Sequence, residues 1–263
     1  MSARSERYLE EMGLAPVWKL RGPKREPGIR DRGKPGESRS DAPVALKPPP
    51  PRREILPPVP GLVRAAKLDL ADDRAARILR MDWPELKTAV AACQACGLRK
   101  TCTQTVFGVG DEQADWLLVG EAPGAEEDAR GEPFVGQAGR LLDNMLAAIG
   151  LARGENVYIC NVLKCRPPGN RNPEPFEVGQ CTPHLLRQLD LIKPKLILAM
   201  GRFAVQALLD TEASIASLRG RLHRFQGVPL IVTYHPAYLL RNLPDKAKAW
   251  EDLCFARRSI AAL

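Results

Sequence analysis

The run Trp116-Leu-Leu-Val119, followed at once by Gly120-Glu-Ala-Pro-Gly124, decides the fold of this chain. Four consecutive apolar residues that end at a glycine predict a short buried strand with a sharp turn at its carboxyl end. Three later apolar runs have the same character. These runs are Val157–Asn161, Leu196–Met200 and Leu230–Thr233.

Helical patterns lie between or after these four predicted strands. Alternation of strand and helix predicts an α/β domain with a mainly parallel central sheet covered on both faces. In such folds ligands bind at the carboxyl edge of the strands, so the loops that follow the strands are the places to search for chemistry. The predicted helices are Gly139–Ile149, Pro175–Ile192, Arg202–Leu209 and Asp245–Ala262.

Two further helices are predicted ahead of the sheet. One runs through Ala65–Arg80, so residues 61–81 form a helical lead-in to a domain that spans 82–263. The other begins at Asp82, a good N-cap with Pro84 and Glu85 in the first turn.

The amino-terminal part differs in composition from the rest. The 263 residues carry a net charge of +8, with 13 basic and eight acidic residues within 1–60. Twelve of the 24 prolines precede Gly61, so residues 22–60 are expected to form a disordered, basic linker. A basic tail suits nucleic acid, and a solvated tail with no partner explains the charge equally well.

Cellular location and cofactor class follow from what the chain lacks. No run approaches the roughly 18 apolar residues of a membrane span, and the start does not resemble a signal peptide. We therefore expect a cytoplasmic protein with no membrane partner. Seven cysteines in such a chain favour a metal or cluster site over a disulfide framework.

Four of the cysteines have the spacing of a ligand set. Cys93 and Cys96 form a Cys-x-x-Cys pair about 70 residues before Cys165, which is followed by Cys181. Four thiolates can hold zinc or an iron–sulfur cluster, and spacing does not choose between them. A redox pair with two ordinary buried thiols is the alternative. The remaining cysteines, Cys102, Cys160 and Cys254, are assigned to packing.

Three loops at strand ends carry polar or aromatic side chains. Phe134 lies in a short loop, where it either anchors the loop or offers a stacking surface. Asn161 precedes the cations Lys164, Arg166 and Arg171, a combination suited to base edges and phosphates. His235-Pro follows the last strand, as a structural histidine or a rigidly aimed donor; His184 and His223 are assigned to surface or structural roles.

These segments together resemble the family 4 uracil-DNA glycosylases, over about Asp82–Ala262. The matching motifs, besides the four cysteines, are Gly120-Glu-Ala-Pro-Gly124, Pro133-Phe-Val-Gly136, Asn161-Val-Leu-Lys-Cys-Arg-Pro-Pro-Gly-Asn-Arg171 and His235-Pro-Ala-Tyr-Leu-Leu-Arg241. The resemblance implies a three-layer α/β/α domain. It also implies a [4Fe–4S] cluster on Cys93, Cys96, Cys165 and Cys181.

The resemblance further implies base excision repair by hydrolysis of the N-glycosidic bond of uracil in DNA, which leaves an abasic site. Phe134 would stack on a flipped uracil, Asn161 would read its O4/N3–H edge, and His235 would donate to O2. Gly120 and Ala122 would complete the uracil pocket through the glycine-rich turn.

The resemblance leaves the role of Glu121 open. Related family 1 enzymes place an aspartate one position after the residue that matches Glu121, and Ala122 stands there in this chain. Glu121 is therefore expected to orient the water or to support the developing sugar cation. Gly124 replaces the bulky aromatic that excludes thymine in family 1.

DNA contacts are predicted outside the pocket. Tyr238–Arg241 resembles an intercalation loop, with Leu239 or Leu240 as the wedge and Arg241 near a phosphate. Lys164 and Arg171 are further predicted backbone contacts.

The first residues have a weaker resemblance of their own. Residues 7–21 are similar to the start of the psi subunit of the bacterial clamp loader, a stretch that binds the chi subunit. Residues 1–21 are therefore predicted to be a docking peptide for chi, on a chain that is otherwise expected to be a monomer.

Two other functions compete with the glycosylase. One is a non-catalytic iron–sulfur protein that binds DNA and senses redox state, which would have no need to retain Phe134, Asn161 and His235 together. The other is a covalent uracil-trapping relative, which carries an extra basic loop and a glutamine where this chain has Ala122.

Overall fold

A computed structural model of the chain describes residues 73–262. The predicted docking peptide, the linker at 22–60 and most of the lead-in at 61–81 lie outside these residues and stay predictions. Helix α1 (Asp73–Ile78) covers the end of the predicted helix Ala65–Arg80. Within 73–262, no helix combines the length and the apolar character needed to cross a bilayer.

A six-stranded mixed sheet forms the centre of the domain, in the order β1-β3-β2-β4-β6-β5. The four inner strands are parallel, and the two outer strands pair antiparallel with their neighbours. The predicted mainly parallel sheet is therefore confirmed. The strands are β1 (Val109–Gly110), β2 (Trp116–Gly120), β3 (Val157–Asn161), β4 (Leu196–Met200), β5 (Leu222–Phe225) and β6 (Val228–Thr233).

The outer strands β1 and β5 were not predicted from the sequence, for a physical reason. β1 is only two residues long, and β5 lies at the sheet edge with Leu222 and Arg224 exposed, so neither has a buried apolar run. The turn from β5 to β6 passes through Gln226 and Gly227, both with positive φ, as tight hairpin turns require.

Helices cover both faces of the sheet and produce two cores. Because successive side chains of a strand point to opposite faces, Leu118 and Leu198 enter one core, whereas Leu117 and Ile197 enter the other. The predicted three-layer arrangement is thus confirmed. The remaining helices are α2 (Trp83–Ala91), α3 (Ala125–Arg130), α4 (Gln137–Ala148), α5 (Pro175–Ile192), α6 (Arg202–Leu209), α7 (Ile215–Leu218), α8 (Pro236–Arg241) and α9 (Lys246–Ile260).

Helix α2 begins where its sequence predicts. The Asp82 side chain accepts a hydrogen bond from the Glu85 amide at 3.0 Å, and the Glu85 carboxylate accepts one from the Asp82 amide at 3.0 Å. This reciprocal pair satisfies two amides that the helix itself cannot. It fixes the direction in which the chain reaches Cys93.

Truncation of a side chain on the central strand β2 should lower the free energy of unfolding far more than truncation of a side chain on the edge strand β5. Leu118 is fully buried at the middle of β2, so we expect Leu118→Ala to lower the free energy of unfolding by about 2–5 kcal/mol. Leu222→Ala on β5, where the side chain is 36% exposed, should cost less than about 1 kcal/mol. Urea denaturation followed by circular dichroism measures both, and equal losses would contradict this arrangement of the cores.

Candidate active site and cysteine cavity

The predicted polar residues meet because four parallel strands end at the same edge of the sheet. Gly120, the last residue of β2, pairs in register with Asn161, the last residue of β3. β4 runs into Gly201, and β6 runs through Thr233 to His235. The loops that follow these strands therefore surround one crevice.

Asn161 and Phe134 meet directly above Gly120. A Cβ atom added at Gly120 would lie 2.4 Å from Asn161 Oδ1 and 2.6 Å from Phe134 Cζ, so any side chain there would occupy the crevice. Asn161 is buried, and its Oδ1 has no hydrogen-bond partner within the described chain. A buried acceptor without a partner costs about 1–3 kcal/mol, which a ligand with an N–H group would recover.

Phe134 is held in a strained conformation. Its φ of 55° lies in the left-handed region, which costs a residue with a side chain on the order of 1–3 kcal/mol. Helix α4 passes so close that a Cβ at Gly139 would lie 1.7 Å from the Phe134 carbonyl oxygen. Strain of this size persists only where neighbouring contacts fix the loop.

Glu127 is one of these contacts, and the sequence reading missed it. Its Oε1 accepts hydrogen bonds from the amides of Val135 at 3.0 Å and Gly136 at 3.2 Å. Its Oε2 accepts one from the Gly124 amide at 3.1 Å. One carboxylate thereby ties the Phe134 loop to the glycine-rich turn. The signal was present in the sequence, since Glu127 stands three residues after Gly124, the spacing of a capping box.

Arg153 holds the same loop through its carbonyl groups. Its guanidinium donates to the Pro133 oxygen at 2.9 Å and to the Phe134 oxygen at 2.7 Å, and it also pairs with Asp143. No sequence pattern pointed to Arg153, because the contact spans about twenty residues with no motif.

His235 faces Phe134 as a neutral ring. The two ring centroids are 5.3 Å apart with an interplanar angle of 29°. Nδ1 accepts a hydrogen bond from the Ala237 amide at 3.1 Å, so the hydrogen of the neutral ring is on Nε2. Burial lowers the pKa of His235 to about 4, against the opposing effect of Glu127. At neutral pH, Nε2–H is therefore a fixed, uncharged donor.

Gly201 makes room for this histidine. Its φ is +88°, and a Cβ there would lie 2.7 Å from His235 Cβ. A side chain at position 201 would push the imidazole out of the crevice.

Glu121 is half-buried beside Gly120. Burial raises its pKa to about 7, and the positive charge of Arg202 at the start of α6 opposes that rise. The carboxyl group therefore changes charge in the neutral range. Ala122, the next residue, packs its methyl group against the apolar cluster that contains Cys165 and Cys181.

Lys164 does not lie where it was predicted. The side chain is 1% exposed, and Nζ donates to the Asn161 carbonyl at 2.8 Å and to Gln188 Oε1 at 2.6 Å. The prediction of a phosphate contact is wrong because the ammonium faces the interior with two acceptors. Lys164 instead supports the main chain of Asn161.

The predicted intercalation loop is the short helix α8, with His235 as N-cap and Pro236 in its first turn. Helical spacing turns Leu239 into the core, where it is 1% exposed, so the prediction of Leu239 as a wedge is wrong. Leu240 is 40% exposed, and Arg241 is exposed beside it.

Arg171 is engaged within the protein. Its guanidinium bonds to both oxygens of Glu177, at 2.9 and 2.6 Å, and contacts Glu174 at 3.3 Å. The hydrogen bond from Arg171 lowers the pKa of Glu177. A phosphate would have to compete with two carboxylates, so the structure gives the predicted DNA contact of Arg171 no support.

The four predicted ligands Cys93, Cys96, Cys165 and Cys181 line one cavity. The Cys93 sulfur receives a hydrogen bond from Arg74 at 3.5 Å, and the Cys181 sulfur receives one from the Lys164 amide at 3.4 Å. Burial raises the pKa of Cys181 to about 11 and also raises that of Cys165. With a raised pKa these two thiols are protonated at neutral pH, and the binding of a metal group by their thiolates would have to release the protons.

The arrangement of these thiols bears on the kind of group that fits. In the described part of the chain, no three His, Cys, Asp or Glu side chains converge as ligands of a single metal ion. Four cysteine thiols are the donor set of structural zinc sites and of iron–sulfur clusters alike, so the chemistry of the cavity fits either group. Cys102 packs in the same apolar cluster as Cys165, while Cys160 lies in the core, in agreement with their assignment to packing.

Comparison with known proteins agrees with this geometry. The model of the uracil DNA glycosylase superfamily matches residues 107–254. The type-4 uracil-DNA glycosylase of Archaeoglobus fulgidus is 50% identical over 159 residues, which cover 57% of this chain and 79% of the relative. That of Thermotoga maritima is 46% identical over 161 residues, 60% of this chain and 83% of the relative. That of Pyrobaculum aerophilum is 39% identical over 181 residues, 66% of this chain and 92% of the relative. The chain therefore belongs to the uracil-DNA glycosylase superfamily and, within it, to the type-4 uracil-DNA glycosylases.

Proposed function

We propose that this protein removes uracil from DNA by hydrolysis of the N-glycosidic bond, the first step of base excision repair. The observation that supports this most directly is the buried, unpartnered Oδ1 of Asn161, which lies with the Phe134 ring above Gly120, while His235 stacks on Phe134. A planar base that carries an N–H group matches all three side chains.

Recognition requires that the base leave the helix. A uracil stacked in a duplex is out of reach, and its rotation into the pocket costs a few kcal/mol. In the proposed complex Phe134 stacks on the flipped ring, Asn161 Oδ1 accepts N3–H, and the Asn161 amide nitrogen donates to O4. Cytosine has no hydrogen on N3 and an amino group at C4, so it would leave Asn161 unpaired at a cost of about 1–3 kcal/mol. Gly120 and the turn through Ala122 form the adjoining wall.

A hydrogen-bond donor, His235, assists the departure of the base in this proposal. As the C1′–N1 bond breaks, its electron pair moves to the uracil ring, and we assign to His235 Nε2–H the stabilisation of the charge that grows on O2. A water molecule supplies the oxygen that bonds to C1′ and gives up one proton, which balances the proton that the departing uracil anion takes up. We assign Glu121 the task of orienting this water or stabilising the positive sugar, and either task requires the ionised carboxylate.

We assign a [4Fe–4S] cluster to Cys93, Cys96, Cys165 and Cys181. When bound, the cluster would join three separate chain segments by metal–sulfur bonds. Lys164 is next to Cys165 in the chain, and its side chain donates a hydrogen bond to the Asn161 carbonyl. A cluster bound to Cys165 would therefore also help to fix the position of Asn161.

The proposed DNA contacts outside the pocket lie on helix α8. Leu240 is the proposed wedge, with Arg241 beside a phosphate. Docking of residues 7–21 on the chi subunit and a cytoplasmic location remain predictions from the sequence. A non-catalytic DNA-binding role is disfavoured because a protein that only binds DNA gains nothing from an unpaired buried acceptor.

Loss of either polar contact to uracil should cripple excision. We expect Asn161→Ala and His235→Ala each to lower the single-turnover rate by roughly 30- to 1000-fold, since each contact contributes about 2–4 kcal/mol. The rate is measured on U·G, U·A and single-stranded uracil substrates. The DNA is cleaved at the abasic site and the fragments are resolved on gels. His223→Ala is the control, because His223 lies on the edge strand β5 and its side chain bonds to the Leu218 carbonyl at 2.8 Å. A loss below tenfold in both site variants would contradict the assignment.

The rate should depend on pH through Glu121. Because the pKa of Glu121 is raised to about 7, its protonated form dominates at lower pH, and the rate should fall as pH drops through 7 and level off above it. Arg202→Gln removes the charge that lowers this pKa and should move the midpoint to higher pH. Glu121→Gln should be slow and show no such limb. A wild-type profile that is flat from pH 6 to 8 would show that ionisation of Glu121 does not limit the reaction.

The wedge should matter for duplex DNA alone. Leu240→Ala removes the side chain proposed to fill the vacated stack, so we expect about a tenfold loss on U·A duplex and little loss on single strands. Leu222→Ala is the matched control, since Leu222 is similarly exposed, at 36% against 40%, but lies on the edge strand β5. Equal losses on duplex and single-stranded substrates would contradict the wedge.

A further inference from the structure

His184 is a buried polar side chain at the cysteine cavity to which neither the family motifs nor the proposed reaction gives a role. It lies on α5 three residues after Cys181, so both side chains project from the same face of the helix. The side chain is 1% exposed and lines the same cavity as the four cysteines.

Its Nδ1 atom is buried and has no hydrogen-bond partner within residues 73–262. An unpaired buried nitrogen costs about 1–3 kcal/mol, and native proteins rarely retain one without a ligand, ion or water to satisfy it. The cavity beside it is the place for that partner.

The polar neighbours at this cavity narrow the choice of acceptor for the Nδ1–H group of His184. Arg99 and Lys164 are donors, and the Lys164 ammonium is already bonded to Asn161 and Gln188. The Gln180 carbonyl accepts from Arg74. Among the described residues, the main-chain carbonyl of Cys181, one turn earlier, is an acceptor close to the ring. A cluster bound by the four cysteines would add its sulfur atoms as acceptors inside the cavity.

We propose that His184 donates an Nδ1–H hydrogen bond to a sulfur of the cluster, and thereby raises its reduction potential and slows its loss. The proposal rests on the cluster assigned above. An N–H dipole aimed at sulfur favours the reduced cluster, which carries the greater negative charge on its sulfur atoms. In this proposal His184 acts directly on the sulfur of the cofactor and makes no contact with the DNA.

The test begins with iron content and visible absorbance of the full-length holoprotein, so that a failure of the cluster assignment is seen first. Protein-film voltammetry then compares wild type with His184→Phe, which keeps a ring and removes the donor. We expect the one-electron equilibrium to shift about tenfold toward the oxidised cluster, a fall of about 59 mV. Bleaching of the absorbance by EDTA should be several-fold faster.

Two variants separate this bond from a merely structural role. His184→Asn places an amide donor near the position of Nδ1 and should recover most of the potential. His223→Phe removes a histidine that bonds to Leu218 outside the cavity and should leave the potential unchanged.

Distinct outcomes overturn distinct claims. A His184→Phe protein that holds the cluster at the wild-type potential would mean that Nδ1–H bonds to the Cys181 carbonyl, and the inference would be wrong. If that variant takes up no iron, the ¹⁵N-histidine spectrum of wild-type holoprotein decides, because an Nδ1–H bonded to the cluster must show a hyperfine-shifted resonance. Absence of iron from wild type would instead reject the cluster itself.

Discussion

The register between β2 and β3 is the constraint on which the site depends. Gly120 lies opposite Asn161 at the last rung of this parallel pair, and the ladder continues as Val162 and Leu163 donate to the carbonyls of Gly120 and Glu121, each at 3.0 Å. A slip of one residue would turn Asn161 to the other face of the sheet. Both strands are buried on both faces, so such a slip would disturb the packing of both cores, and the cores thereby set the position of the Asn161 amide that is proposed to read the base.

Rigidity around Phe134 comes from charge and not from apolar packing alone. A carboxylate on one side accepts from the loop amides, and a guanidinium on the other donates to the loop carbonyls. The two clamps hold the chain in a conformation that an aromatic residue would otherwise avoid. A ring fixed in this way loses little entropy when a base stacks on it, so more of the stacking energy goes into binding.

Much of the fold was available from the sequence, because its strongest signals are local. β3, β4, α5 and α6 have the predicted bounds, since each is a continuous apolar run or a regular helical pattern between turn residues. Of the site, the residues carried by motifs at strand ends converge on one crevice. The sequence misplaced Leu239 because one residue of rotation in a short helix decides between core and solvent. It misplaced Lys164 because a lysine is normally exposed, and one of the two acceptors that make its burial tolerable, Gln188, comes from helix α5, 24 residues away.

The ammonium of Lys164 also limits how this gene can vary. A single nucleotide change converts a lysine codon to an arginine codon, a replacement that most protein surfaces accept. Here the group sits in a closed space between a main-chain carbonyl and the Gln188 amide, where a wide, planar guanidinium has five donors to satisfy and two acceptors to meet. Natural selection should therefore remove arginine at position 164 although the charge is preserved. Descendants of this sequence should keep the lysine.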